Sequence, residues 1–144
     1  MTIHQISVFL ENRAGQLAEI TRTLADESID LRAISIAETA DYGVLRLIVD
    51  QPQKATSILL SHGFILSMTP VTVVAVPDAP GGLAPVLRLV ADGGIDIEYM
   101  YSLFTHSEGR AYMVFRVSDD EKFTSLLHQS GIDPVSGEAL GIQG

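Results

Sequence analysis

NRAGQLAEITRTLADESIDL, residues 12–31, and DAPGGLAPVLRLVADGGIDI, residues 78–97, decide the fold. At a constant offset of 66, Gly15 falls on Gly81, Leu17 on Leu83, Ala18 on Ala84 and Arg22 on Arg88. The same offset carries Ala25-Asp26 onto Ala91-Asp92, Ile29-Asp30 onto Ile95-Asp96, and Gly43 onto Gly109. One register kept over about thirty positions marks an internal duplication. Each copy is one small α+β module, and the division falls near Pro70, giving modules at 1–70 and 71–144.

Outward from these stretches the hydrophobic period alternates. Ile6, Val8 and Leu10 are spaced by two, as are Val74 and Val76, so a strand with one buried face precedes each stretch. Leu17, Ile20, Thr21 and Leu24 follow at helical spacing, matched by Leu83, Val86, Leu87 and Val90. Pro85 sits in the first turn, where a missing N–H removes no bond. A second strand is expected over 30–39 and 96–105, and Gly43 and Gly109 punctuate a turn into a third. Second helices run from Pro52 to Gly63 and from Asp119 or Asp120 to Gly131. Residues 65–68 close copy one with a strand only a residue or two from the first strand of copy two, and 138–142 is the corresponding strand of copy two. The order βαββαβ predicts, for each module, a ferredoxin-like antiparallel sheet with both helices on one face.

Composition narrows the function. The chain has 144 residues, a net charge of −9, 47% hydrophobic residues and no cysteine. The apolar fraction closes a core, and the absence of cysteine removes disulfides, thiol catalysis and cysteine-ligated metals. Nine scattered basic residues argue against a phosphate-gripping nucleic-acid binder. The segment from Glu108 to Phe115 imitates an RNA-binding strand motif but offers Glu108 and Arg110 where that motif wants a base and an aromatic. The start lacks a basic region, and no apolar run approaches the roughly 18 residues of a membrane span. A cytoplasmic protein without membrane or nucleic-acid partners is expected. His4, His62, His106 and His128 are isolated, and Asp119-Asp120-Glu121 opens a helix, where acids are favoured electrostatically, so no metal, cofactor or catalytic constellation is expected.

The strongest local signal is the turn from first strand to first helix. A glycine there, Gly15 or Gly81, lets backbone approach a bound group, and the first N–H groups of a helix lack internal partners. Together they suit a carboxylate or phosphate. Asn12 and Asp78, three residues upstream, carry side-chain oxygens able to accept from an ammonium. One small zwitterion satisfies both halves, although ordinary caps and turns use the same residue types.

The paired patterns Asn12-Arg13-Ala14-Gly15-Gln16-Leu17-Ala18 and Asp78-Ala79-Pro80-Gly81-Gly82-Leu83-Ala84, each followed by an Ala-Asp and then an Ile-Asp, resemble the ACT domain family, in tandem. ACT domains are regulatory modules of this fold, many of which bind an amino acid where two modules meet. The resemblance implies ligand roles for Asn12, Ala14, Gly15, Gln16 and Leu17 with Arg13 at the rim, and for Asp78, Ala79, Pro80, Gly81, Gly82 and Leu83. It also implies that the second strand of a paired module completes the pocket, through Ser35 and Ile36 or Tyr101 and Ser102. Copy two carries the family's Pro-Gly pair at Pro80-Gly81, and copy one has Ala14-Gly15 instead.

The expected function is therefore a free-standing amino-acid-binding regulator acting on an enzyme or transporter in trans. A small acylphosphatase-like hydrolase using Arg13 is the enzymatic alternative, and an interaction module without ligand the structural one. Alternation places Tyr99, Tyr101, Leu103, Tyr112 and Val114 away from the helices, and an aromatic face of that kind predicts self-association, as a homodimer.

Overall fold

The computed structural model describes residues 2–11, 13–38 and 41–143. In chain order the elements are β1 (Ile3–Glu11), α1 (Gln16–Asp26), β2 (Leu31–Glu38), β3 (Tyr42–Val49), α2 (Pro52–Ser61), β4 (Leu66–Pro77), α3 (Ala84–Asp92), β5 (Ile97–Ser102), β6 (Arg110–Val117) and α4 (Asp120–Gln129). They form two compact units. One holds residues 4–69 with the chain from Leu140 onward, and the other holds residues 70–139 with the chain start up to Ile3. These are called the first and second unit.

In the first unit the strands run β2-β3-β1-β4. Ile6 lies opposite Leu47 and Val8 opposite Leu45 in the antiparallel ladder. These side chains, with Leu10 and Val49, meet Ile20 and Leu24 of α1 and Ala55 and Leu59 of α2 in one buried cluster. The two-residue strand period and the helical period thus converge on a single core. Fully burying a Val, Leu or Ile side chain is worth about 1.5–3 kcal/mol relative to exposure, which is why this pattern specifies the face of every element.

The second unit repeats the scheme with β4-β6-β5. Val74 and Val76 join Phe115, Val117, Val86, Val90 and Leu127, while Phe123 meets Phe115 edge to face at 5.4 Å between ring centres.

Five details depart from the sequence-based expectation. The closing strand of copy one and the opening strand of copy two are one continuous strand, β4. Pro70 inside it has no N–H to give, and its carbonyl accepts from Arg116 Nη1 at 3.0 Å. The expected strand at 138–142 is absent. Glu138–Leu140 form a 3-10 turn instead, and the edge of β4 is met earlier, where Val135 N–H donates to Val73 O at 2.8 Å. Pro134 removes one ladder donor beside that contact, and Gly141 takes a left-handed φ of 72°, so the segment cannot sustain a strand. Gly43 lies within β3, opposite Leu10, whereas Gly109 does occupy a turn with φ 72°. Strand β5 ends at Ser102 rather than Thr105, and Thr39 lies outside the described residues. Of the side chains assigned to the outer face of copy two, Val114 and Leu103 are buried and the three tyrosines are half-buried in the single chain. That face is not the open aromatic patch the alternation suggested.

Candidate functional site

Each strand-to-helix turn opens onto a cleft within its own unit. In the first unit, Gly15 adopts a left-handed φ of 84° immediately before α1, a conformation that costs a residue with a Cβ roughly 1–2 kcal/mol. Beside it lies a cleft of about 360 Å³. Arg13, Gly15, Gln16 and Leu17 line it from the turn, Ile36 and Glu38 from β2, and Glu11, Tyr42 and Gly43 from the strand ends. Ala14 is exposed in the turn and Ser35 is half-buried on β2, and neither is on the lining. Asn12 lies outside the described residues.

Gln16 does more than line this cleft. It is buried, and its Oε1 accepts from Glu11 N–H at 2.8 Å, closing the turn onto the end of β1. Arg13 pairs with Glu19 at 3.5 Å, both side chains being about half exposed. With Glu11 and Glu38 also on the cleft, the local field disfavours a phosphate, and the acylphosphatase alternative loses its cation.

In the second unit the cleft is about 580 Å³ and more apolar, with Pro77, Pro80, Pro85, Val86 and Ile132 on its walls. Ala79, Gly81 and Gly82 contribute the turn, and Gly81 has φ 79°. A Cβ on Gly82 would lie 1.9 Å from Pro77 O, so backbone runs against backbone here. Asp78 donates its N–H to Gly109 O at 2.9 Å, tying the turn to the start of β6. Asp78 and Leu83 are not on the lining, and Leu83 is packed against the core. Tyr101, half-buried and stacked on Tyr99 with 6.4 Å between ring centres, and exposed Ser102 lie on β5 away from this cleft. Sequence reasoning missed Arg110 and Asp133, both on the lining. Asp133 Oδ1 meets His128 Nδ1 at 3.1 Å.

Among the described residues no group of three or more His, Asp or Glu is placed to hold a metal ion, and no helix is long and apolar enough to cross a membrane. One carboxyl is perturbed. Burial pushes Asp120 above the usual aspartate range, a rise opposed by Arg116 and reinforced by Asp119 and Glu98.

Two repeats of βαββα order, each with a glycine turn beside a small cleft, define the architecture, and function has to be argued from the clefts. The chain belongs to the ACT domain pair family, whose model matches residues 1–141. It is similar to protein BT0572 from Bacteroides thetaiotaomicron, with 40% identity, a TM-score of 0.90 and coverage of 98% of this chain and 96% of that one. The ligand-free regulatory subunit of aspartate kinase from Thermus thermophilus shares the fold at 21% identity and a TM-score of 0.65, over 89% of this chain and 92% of that one. The corresponding regulatory subunit from Thermus flavus does so at 20% identity and a TM-score of 0.59, over 91% and 94%. No curated protein matches the sequence.

Proposed function

We infer that this ACT domain pair is a non-catalytic, amino-acid-binding regulator that works in the cytoplasm, in trans on an enzyme or transporter. The observation that carries the reading is the persistence, in both copies, of an open cleft beside the left-handed glycine of the strand-to-helix turn. A turn serving only as a cap has no need of such space. The regulatory subunits of similar fold support action on a separate partner.

A module interface supplies what regulation needs, because a ligand that touches both sides stabilises only the docked arrangement. The first cleft has the surface for such a contact. Ile36 and Tyr42 on its lining, and Phe9 stacked on Tyr42 at 5.1 Å between ring centres, remain 40–43% exposed. A second copy of the chain covering these side chains makes the protein a homodimer and closes the cleft, with Ser35 and Ile36 on the seam.

Isothermal titration calorimetry against the twenty amino acids, with light scattering on the same samples, tests the reading. Binding of at least one amino acid by a dimer is expected. No measurable heat for any of them overturns the ligand, and a monomer at micromolar concentration with and without ligand overturns the shared seam.

A further inference from the structure

The second cleft carries two charged side chains of opposite sign, Arg110 and Asp133, on an otherwise apolar and backbone lining. They come from different elements, and the backbone around each is held by hydrogen bonds. Arg110 begins β6 directly opposite Pro77 in the β4–β6 ladder, and its N–H donates to Ser107 O at 3.0 Å. Asp133 follows the end of α4, where Ile132 N–H donates to Leu127 O at 2.9 Å and Val135 N–H to Val73 O at 2.8 Å.

The two charges do not neutralise each other, since no ion pair within 4.0 Å joins them. Asp133 offers Oδ1 to His128, which leaves Oδ2 without a partner among the described residues. Arg110 is more telling. In this acidic chain Arg13, Arg22, Arg32, Arg88 and Arg116 each face a carboxylate, and Arg46 is engaged as well. The Arg110 guanidinium alone among the arginines has neither ion pair nor hydrogen bond among the described residues.

A guanidinium and a carboxylate on one cleft, not paired with each other and sharing the lining with apolar side chains, match an α-amino acid with an apolar side chain. We propose that the second cleft binds such a ligand inside a single unit, its carboxylate on Arg110, its ammonium on Asp133 and its side chain against Pro85, Val86 and Ile132. The turn glycines Gly81 and Gly82 let the ligand approach the backbone. The first unit cannot form the same clamp, because the strand ladder and the end of the second helix put Tyr42 and Ile65 at these two positions. The proposal rests on the amino-acid-binding reading and adds which cleft, which charges and which side-chain class.

The test uses the whole chain with L-leucine, 4-methyl-2-oxopentanoate, which lacks the ammonium, and isopentylamine, which lacks the carboxylate. Leucine is expected to bind wild type more tightly than either analogue. Arg110→Gln weakens leucine and the oxo acid about tenfold to a hundredfold, the range for losing a hydrogen bond to a charged group. Asp133→Asn weakens leucine and the amine but spares the oxo acid. Both side chains lie on the surface, so unfolding does not mimic the result, and amide shifts give a second readout. Leucine moves the Gly81, Gly82 and Gly131 amides and leaves Gly15 and Gly43 in place. Unchanged leucine affinity in both variants, shifts confined to Gly15 and Gly43, or binding only of polar amino acids overturns this proposal and leaves the broader function standing. Absence of binding by all twenty amino acids overturns both.

Discussion

The two strand-to-helix turns descend from one pattern and are closed by opposite means. In the first unit Glu11 has an N–H to satisfy at the end of β1, and the side chain of Gln16 reaches back to accept it. In the second, the corresponding residues are Pro77 and Gly82. Pro77 has no N–H, so no acceptor is needed, and Gly82 has no side chain, so its backbone presses against Pro77 O. Either pair is self-consistent, while a mixture of the two is not. The first cleft has the more polar lining, and the second is larger and more apolar, with Arg110 and Asp133 on its walls. Duplicated architecture therefore does not imply identical clefts.

Exchanging residues across the repeat breaks the comparison most severely at Gly82. Gly82→Ala places a Cβ 1.9 Å from a backbone oxygen with no flexible atom to yield, and the turn must move. A loss of about 3 kcal/mol is expected, at the upper end for overpacking, read as a lower urea midpoint at unchanged slope. The mirror change, Gln16→Ala, adds no clash and costs about 1 kcal/mol for the lost hydrogen bond. Equal losses for the two variants would show that the turns are closed in the same way after all.

How far the sequence reached follows from the range of each interaction. The repeat, the strand and helix periods, and the turn glycines depend on neighbours within about one turn of chain, and all were legible from spacing. Gly43 shows the limit of a constant offset, since copy two has two more residues ahead of β6, and Gly43 lies opposite Leu10 in the place that Ala111, opposite Val76, takes in copy two. The absent last strand was written in Pro134 and in the glycines that bracket residues 138–140, but only the contact between Val135 and Val73 shows what replaces it. Arg110 and Asp133 were out of reach because they lie far along the chain from the turn they flank. Their one sequence signal is a break in the repeat, charge in copy two against Tyr42 and Ile65 in copy one.

The helix ends extend the comparison at smaller energy. After α1 the chain passes through Ser28 at φ 57°, and after α3 through Gly94 at φ 66°, positions again 66 apart. The backbone course is the same, and only one copy has the residue that adopts it freely. The left-handed region costs a residue with a Cβ about 1–2 kcal/mol, partly offset by the greater unfolded-state freedom of glycine. Ser28→Gly is accordingly expected to stabilise the protein by about 0.5–1 kcal/mol, seen as a higher urea midpoint. A destabilised variant would mean that the Ser28 side chain contributes more than its backbone strain costs.

The smallest difference lies at the start of the second helix of each copy, where Pro52 opens α2 and Asp120 opens α4. Pro52 is buried and carries no charge. Asp120 has Oδ2 at 3.7 Å from Arg116, but its Oδ1 is buried without a partner, and burial holds its pKa above the ordinary aspartate value of 3.8. A carboxyl with a raised folded pKa binds its proton more tightly in the native state than in the unfolded chain. Its ionisation therefore weakens the fold as pH climbs from 3.8 through the raised folded value, and the penalty is fully present at neutral pH. Asp120→Asn removes that penalty, losing only the Arg116 contact and a favourable charge near the helix start. A small rise in melting temperature is expected at pH 7, shrinking toward zero near pH 4. Thermal melts of the two proteins across this range decide the point, because a gain that persists unchanged at low pH would assign the effect to packing rather than to the buried charge.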